Sequence, residues 1–251
     1  MVNERNKSIV MVETPGVVRG THADAKAVQK MFSAIAPRYD LLNHVLSFNM
    51  DRLWWWRAAR TFRGILSRPE ARALDLCCGT GFMTSALYKR AQAGAQVLGA
   101  DFAHAMLQRA AERSEGTWLR WVEADALHLP FPDGHFDLVT AAFGFRNLAD
   151  YDAGLREMVR ILRPGGECGI LDFGEPKGLL GGLYRIYFRR VLPAVGTVIS
   201  GVKGPYAYLP VSVQRFPAPE DITGRMRAVG FQEATWTPYT FGVAGLYRGR
   251  K

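Results

Sequence analysis

Cysteine, long apolar runs and acidic residues are all scarce in this sequence. Its 251 residues include 3 cysteines, Cys77, Cys78 and Cys168, and no two of them have the C-x-x-C spacing of a redox or zinc site. This small, odd number excludes a disulfide framework and indicates a reducing compartment. The longest uncharged apolar run, residues 191–202, is interrupted by proline and glycine and is too short to cross a bilayer.

Basic residues outnumber acidic ones, and the formal net charge is +9. A basic protein meets nucleic acids, acidic substrates or anionic membrane surfaces, and charge alone leaves all three open. Hydrophobic residues make up 48% of the chain, which indicates a globular protein with a sizeable core. Residues 1–20 carry charges and no sustained apolar stretch, so no secretory signal is expected. We therefore expect a soluble, cytoplasmic protein.

The chain is predicted to form a flexible tail over 1–24 and one domain over 25–251. Strand and helix patterns alternate through the core of this domain, which predicts right-handed crossovers and a mostly parallel sheet. Two closely spaced strand patterns at the end predict an antiparallel hairpin at one sheet edge. The predicted fold class is therefore α/β and Rossmann-like. The domain divides into a helical lead-in (25–70), the core (71–175), a lid insertion (176–220) and a closing helix with its hairpin (221–251).

Individual elements follow from the same patterns. A Pro-Gly-Gly sequence at 164–166 is expected to stop a helix before the fifth strand. Strands are predicted over 71–77, 96–101, 119–123, 136–142, 167–173, 233–237 and 242–247, and helices over 104–113, 151–162 and 221–228.

A glycine turn at the end of the first strand is the strongest local motif. The sequence LDLCCGTG spans residues 74–81, and its Gly79-Thr80-Gly81 segment lets a ligand approach the backbone and helix-terminal N–H groups. A dinucleotide-binding turn would have a third Gly or Ala where Thr84 stands. Asp75 lies inside the strand, and an acid beside exposed N–H groups suits the ammonium and carboxylate of S-adenosylmethionine (SAM) better than a pyrophosphate. A plain turn without a ligand is the alternative.

Two further acids follow the next two strands. Asp101 ends the second strand and can accept hydrogen bonds from both ribose hydroxyls, or serve only as a helix N-cap. Asp125 follows the third strand and can accept from the adenine amino group, while the neighbouring backbone N–H of Ala126 meets the ring. Three acids at three successive strand ends beside a glycine turn indicate SAM. Phe102 and Ala142 complete the candidate cofactor contacts.

The sequence resembles the class I methyltransferases and, more narrowly, the ubiquinone/menaquinone biosynthesis C-methyltransferases. The resemblance covers residues 31–251. It rests on FSAIAPRYDLLN (32–43), LS (46–47), RLW (52–54), FGFRNL (143–148), MVRILRPGG (158–166), YLPVS (208–212) and FP (216–217).

This resemblance implies methyl transfer from SAM to a ring carbon of a polyprenylated quinol, demethylmenaquinol or the benzoquinol of the ubiquinone pathway. It also implies that Thr80, Asp101 and the Asp125-Ala126 pair contact SAM. Several positions depart from the family pattern: Asn49 replaces Gly, Asp51 replaces His, Phe82 replaces Asp, Ala142 replaces a frequent Ser, and Asp172-Phe173-Gly174 replaces Glu-Phe-Ser.

The catalytic candidates are Arg146, Asn147 and Tyr39. A ring carbon is a poor nucleophile until an adjacent hydroxyl loses its proton, so the enzyme must favour the phenolate. Arginine cannot act as a base, so we assign Arg146 to stabilising the phenolate while a bound water takes the proton. Tyr39 can hydrogen-bond the same hydroxyl. The alternatives are a surface charge for Arg146 and helix packing for Tyr39, and the reaction requires no metal.

The predicted partners follow from the charge and the lid. Apolar residues alternate with Arg185, Arg189 and Arg190 over 178–201, which suits an anionic membrane surface holding a polyprenyl substrate, although a core-packed lid helix explains it equally. Peripheral association with the inner face of the membrane and a homodimer are therefore further expectations. The alternatives are phospholipid N-methylation and a SAM-binding regulator without catalysis. A nucleic-acid methyltransferase is disfavoured, because no Asn/Asp-Pro-Pro-aromatic sequence follows the fourth strand.

Overall fold

The structure is a computed structural model that describes residues 10–11, 28–34, 40, 44, 47–176, 181–182, 187, 202–203 and 205–251. Within the predicted tail, Val10–Met11 pairs in parallel with Val202–Lys203. Tyr39 and the three lid arginines, Arg185, Arg189 and Arg190, lie outside the described residues.

A seven-stranded sheet forms the centre of the domain. Its strands are β1 (Arg72–Leu76), β2 (Gln96–Asp101), β3 (Arg120–Glu123), β4 (Phe136–Ala142), β5 (Leu162–Phe173), β6 (Gln232–Tyr239) and β7 (Ala244–Arg250). Their order in the sheet is β3-β2-β1-β4-β5-β7-β6. The first five strands are parallel, and β7 runs antiparallel to both β5 and β6. The α/β class, the mostly parallel sheet and the antiparallel edge hairpin are thus confirmed.

Helices cover both faces of this sheet. The helices are α1 (Met50–Thr61), α2 (Arg63–Leu66), α3 (Phe82–Tyr88), α4 (His104–Arg113), α5 (Tyr151–Ile161), α6 (Pro205–Arg215) and α7 (Pro219–Ala228), and 3₁₀ turns occupy Phe145–Asn147 and Thr240–Gly242. Asp150 caps α5, its side chain accepting a hydrogen bond from the Ala153 N–H at 2.9 Å. Residues 28–34 are also helical.

Strand β5 begins five residues earlier than its sequence pattern predicts. Leu162 already pairs with Phe136 of β4. On the other side, the Gly165 N–H donates to the Lys251 carbonyl and the Lys251 N–H donates to the Gly166 carbonyl. Pairing with two neighbouring strands therefore extends β5 through a Pro-Gly-Gly sequence that locally favours a turn.

The core has two layers because side chains alternate along each strand. Val139 of β4 and Tyr247 of β7 pack on the α5 and α7 side, whereas Leu138 and Leu246, one residue earlier, pack on the α1 and α3 side. The tryptophan run of α1 is divided in the same way by helical geometry: Trp54 and Trp55 are buried, and Trp56 is 44% exposed.

Candidate functional site

A cavity of about 720 Å³ opens at the carboxyl ends of the parallel strands. The chain crosses from β3 over β1 to β4, so the strand order reverses at β1, where α/β folds bind ligands. The cavity is within the size range of small-molecule sites. Nine of the predicted site residues line it: Gly79, Thr80, Asp101, Phe102, Asp125, Ala126, Ala142, Arg146 and Asn147.

The glycine turn supplies open backbone to this cavity. Gly79 has a φ of +54°, and a Cβ built on it would meet no atom within 4 Å. Gly81 has a φ of +83° and does not line the cavity. A Cβ built on it would lie 2.4 Å from the Trp121 ring. Gly79 therefore leaves room for a ligand, whereas Gly81 is required by the packing of the turn against Trp121.

Asp101 holds the turn and faces the cavity at the same time. One carboxylate oxygen accepts from the Gly79 N–H at 2.8 Å and the other from the Ala103 N–H at 2.9 Å. Burial raises the pKa of this carboxyl to about 6, against the lowering effect of these hydrogen bonds. Each oxygen keeps a lone pair for a further donor, so Asp101 can accept from two ribose hydroxyls without losing either backbone contact.

Asp125 occupies a more open part of the cavity wall. Its side chain is 59% exposed, and one oxygen accepts from the Leu127 N–H at 2.9 Å. Asp125 and Ala126 follow β3 and lie beside Glu123 in the cavity wall. Their position next to Asp101 suits recognition of a purine ring attached to the ribose.

Asp75 lies behind the cavity wall and does not line it. The side chain is fully buried, and its two oxygens accept from the Thr84 and Thr140 hydroxyls at 2.7 and 2.8 Å. Burial raises the pKa of Asp75 to about 7, although both hydrogen bonds lower it. The geometry gives this carboxyl a role in joining β1, β4 and α3 beneath the glycine turn rather than a direct ligand contact.

The raised pKa of Asp75 makes stability depend on pH. The unfolded chain loses this proton near pH 3.8 and the folded chain near pH 7, so the free energy of unfolding falls as pH rises between these values. We expect Asp75→Asn to remove about 2 kcal/mol of the decrease between pH 5 and pH 8. Urea unfolding at both pH values measures it, with Glu115→Gln, an exposed carboxyl, as the control. Equal pH dependence in the wild type and in Asp75→Asn would show that Asp75 is ionised in the fold.

Arg146 lies in the 3₁₀ turn after β4 and is held from three sides. Its Nη1 donates to the Asp172 carboxylate at 3.0 Å and to the Phe143 carbonyl, and its Nε lies 3.4 Å from the Ser212 hydroxyl. The guanidinium carbon lies 5.2 Å from the centre of the Phe173 ring. The side chain is only 5% exposed, so this cation is a fixed part of the cavity wall and not a surface charge. Among the described residues, Nη2 has no hydrogen-bond partner.

Asn147 completes this part of the wall. The Tyr208 hydroxyl donates to its Oδ1 at 3.1 Å, so α6 covers the turn that carries Arg146 and Asn147. The sequence patterns did not predict that Asp172, Tyr208 and Ser212 hold this turn, although Tyr208 and Ser212 belong to the family-specific YLPVS block. The YLPVS block (208–212) is the sequence feature that could have predicted these contacts, because a family-specific sequence inside an insertion indicates that its side chains contact the rest of the site.

Asp40 contacts the glycine turn directly. Its carboxylate accepts from the Thr80 hydroxyl at 2.5 Å and pairs with the Arg113 guanidinium, which also donates to the Thr80 carbonyl. Arg113 stacks on Phe82, at 3.9 Å from the ring centre, where the family pattern has an acid. Asp40 of the YD motif is therefore held against the glycine turn and the end of α4, beside the cavity.

A histidine–aspartate pair replaces the family histidine at position 51. The Asp51 carboxylate lies 2.6 Å from the His44 Nδ1, and its side chain is 5% exposed in the cavity wall. His44 packs edge-on against Phe82 and Trp55. Asp51 stands where the family pattern has a histidine, and the imidazole of His44 lies next to it.

Comparison with known proteins places the chain in a family. The sequence profile of the ubiE/COQ5 methyltransferase family matches residues 20–251. The chain belongs to this family. A demethylmenaquinone methyltransferase of Thermus thermophilus is 52% identical over 222 residues, covering 87% of this chain and 99% of that protein. The demethylmenaquinone methyltransferase of Deinococcus radiodurans is 47% identical and covers 90% and 93% of the two chains.

Solved structures support the fold assignment. A SAM-dependent methyltransferase from Aquifex aeolicus superposes with a TM-score of 0.58 at 18% identity, over 79% of this chain and 92% of that one. At this level of identity the similarity concerns the Rossmann-like methyltransferase fold alone.

No helix among the described residues is long and apolar enough to span a bilayer.

Proposed function

We propose that this member of the ubiE/COQ5 family methylates a ring carbon of demethylmenaquinol with SAM as methyl donor. The observation that supports this most is one cavity with two different ends. The glycine turn and Asp101 lie at one end, and Arg146 and Asn147 lie among aromatic side chains at the other. Aromatic residues are found throughout the cavity wall, and Phe143 and Phe173 are the ones next to Arg146. The full aromatic lining is Phe32, Phe48, Trp54, Trp55, Phe82, Phe102, Phe143, Phe173, Tyr187 and Tyr208. Such a cavity suits a polar nucleoside beside a flat, apolar ring with one polar edge.

The polar groups at the glycine-turn end of the cavity match the hydrogen-bonding groups of SAM. Gly79 leaves room for a ligand beside the backbone and the Thr80 hydroxyl oxygen can accept a hydrogen bond. Asp101 offers acceptors for two ribose hydroxyls, and Asp125 with Ala126 can meet the adenine. When bound, SAM supplies an electrophilic methyl group. The contribution of this end of the site is to fix the direction from which that group meets the substrate.

The substrate end must create a carbon nucleophile. We assign Arg146 to stabilising negative charge on the quinol oxygen, which raises electron density at the neighbouring ring carbon. The Asp172 pair holds the guanidinium in place, and burial makes its interaction with an oxyanion stronger than in water. A bound water takes the hydroxyl proton and passes it to solvent. The new carbon–carbon bond would form as the carbon–sulfur bond of the donor breaks and S-adenosylhomocysteine leaves, and a water would then take the proton of the methylated ring carbon. Asn147 and Tyr39 are the other candidates for contact with this hydroxyl.

Phospholipid N-methylation is the alternative reaction. Its nucleophile is a neutral amine, whose nitrogen gains positive charge as it takes the methyl group. A buried, fixed guanidinium at the reacting end opposes this developing positive charge, whereas it stabilises an oxyanion. Arg146 therefore favours the quinol, and the named activity of the relatives at 52% and 47% identity indicates a demethylmenaquinol in particular.

Methyl transfer from labelled SAM tests the proposal directly. We expect the purified protein to transfer label to chemically reduced demethylmenaquinol, and not to the oxidised quinone, because only the quinol can form the phenolate. Phosphatidylethanolamine and the demethylated benzoquinol of the ubiquinone pathway serve as competing substrates in parallel assays. Label in phosphatidylethanolamine alone would establish the alternative reaction, and label in the benzoquinol alone would change the assigned ring.

A further inference from the structure

Helix α1 exposes a face that combines apolar and basic side chains. Leu53 and Trp56 are 43% and 44% exposed, and Arg57 and Arg60 are also exposed. These four residues follow the i, i+3, i+4, i+7 spacing of one helix face. The single acid of the helix, Asp51, is buried. A face of this kind, with arginine beside tryptophan and leucine, is typical of helices that lie in a membrane interface.

The cations on this face surround aromatic rings and a shallow cleft. The guanidinium carbons of Arg60 and Arg90 lie 5.1 and 5.5 Å from the Trp56 ring centre, and that of Arg57 lies 4.1 Å from the Tyr239 ring centre. Burial, and then the charge of Arg60, lower the pKa of Arg90. The described residues that line the cleft, Trp56, Arg57, Arg60, Thr61, Thr237 and Tyr239, include no acid. The cleft therefore offers guanidinium and hydroxyl donors to an anion.

Two strained turns present phenylalanine beside this face. Phe48 is 74% exposed with a φ of +52°, and Phe241 is 80% exposed with a φ of +57°. Left-handed backbone is unfavourable for a bulky residue, yet both side chains remain mostly exposed, even though the Phe48 ring centre lies 5.7 Å from that of Tyr187. The Trp54 indole donates to the Thr240 hydroxyl at 2.8 Å, which ties the second turn to α1. Phe48 and Thr240 both line the cavity, so these turns lie at its edge.

We propose that the exposed face of α1, together with Phe48 and Phe241, is a docking surface for an anionic lipid bilayer. Arg57 and Arg60 meet lipid phosphates, and the two phenylalanines insert among the acyl chains. The net charge of +9 has the complementary sign. The inference rests on the proposed function in one respect: a polyprenyl quinol lies in the bilayer, and this surface brings the cavity edge to it.

Vesicle sedimentation of the full chain tests the surface without any turnover. We expect strong binding to vesicles containing phosphatidylglycerol, weak binding to pure phosphatidylcholine, and release from the anionic vesicles by high salt. The double variant Arg57→Gln with Arg60→Gln should bind roughly 30-fold more weakly, because each arginine near an anionic surface contributes about 1 kcal/mol. Phe241→Asn should weaken binding about tenfold, since asparagine accepts the left-handed backbone but does not insert.

Matched variants separate the surface from general charge and from misfolding. Arg57→Lys with Arg60→Lys keeps the charge and should bind like the wild type. Arg120→Gln with Arg156→Gln removes two charges from β3 and α5, outside the proposed surface, and should bind nearly as well as the wild type, as should Trp118→Ser, which removes an 87% exposed aromatic near the opposite sheet edge. Equal losses of vesicle binding in the two glutamine double variants would overturn the proposed docking surface. A parallel RNA-binding assay gives a second test: if the protein binds RNA but does not prefer anionic over neutral vesicles, the docking surface is also wrong.

Activity assays keep this inference distinct from the proposed function. The glutamine double variant should turn over a detergent-dispersed short-chain demethylmenaquinol normally and the vesicle-embedded long-chain substrate slowly. If neither the wild type nor the glutamine double variant methylates a quinol, but the wild type binds anionic vesicles and the double variant binds them much more weakly, the docking surface stands and the proposed function fails. If vesicle-embedded substrate is methylated equally well by the wild type and the double variant, the docking surface is wrong.

Discussion

Arg146→Gln is expected to lower kcat roughly 10²–10³-fold, as the loss of one oxyanion partner does in other enzymes. The affinity for SAM should change little, because Arg146 lies at the substrate end of the cavity. An interaction that forms fully only in the transition state affects kcat more than KM. The rate of the variant should recover in part at higher pH, where more phenolate forms without the guanidinium. Steady-state kinetics over a pH series, with SAM binding by calorimetry, measure all three effects.

The partner Asp172 complicates this variant in a predictable way. Burial raises the pKa of Asp172, and the charge of Arg146 lowers it. Removing the arginine leaves an unpaired buried carboxyl, which should take up a proton or destabilise the fold. The double variant Arg146→Gln with Asp172→Asn should restore stability but not kcat, and Arg248→Gln, in a surface ion pair with Glu167, should change neither strongly. Near-normal turnover of demethylmenaquinol by Arg146→Gln would refute the assignment, and a raised KM at unchanged kcat would make Arg146 a binding residue.

Asp101→Ala is expected to weaken SAM binding about 100-fold. Two ribose hydroxyls lose a shared charged acceptor, and a hydrogen bond to a charged group contributes about 1.5–3 kcal/mol. The N–H groups of Gly79 and Ala103 also lose their acceptor, so part of the loss comes from a less ordered turn. Calorimetric titration of SAM into the wild type and the variant measures the difference.

The pKa of Asp101 adds a second test of the same contact. Because this pKa lies at about 6, the carboxyl of the free protein becomes protonated as pH falls below 6 and loses part of its capacity to accept. SAM affinity of the wild type should therefore fall between pH 7 and pH 5, and that of Asp101→Ala should not show this decrease. Unchanged affinity in the variant at pH 7 would remove Asp101 from the site.

The sequence by itself determined most elements of the core. The bounds of β2, β4 and α4 agree with their predicted ranges, because each combines a clear hydrophobic period with a glycine, proline or charged residue at its ends. The glycine turn, the two following acids and the FGFRN block also indicated one end of the sheet correctly. Residues at the carboxyl ends of parallel strands meet at one edge whatever the details of packing.

Only the tertiary structure decided which of these residues face the cavity. Asp75 and Asp101 look alike in sequence, yet Thr84 and Thr140 enclose the first and the second lines the cavity. Likewise, the start of β5 depends on its pairing with β4 and with the chain end near Lys251. Periodicity reports how a residue alternates along its own strand. It does not report which distant side chain completes its hydrogen bonds.

The same limit applies to Arg146. Its place after β4 is visible in the sequence, but its charge partner Asp172 is 26 residues away and its Ser212 contact is 66 residues away. Whether a guanidinium is a solvated surface charge or a fixed electrostatic element depends on those long-range contacts and on burial. The sequence therefore named the candidate residue, and the packing of β5 and α6 around it determined that it is a fixed, buried cation.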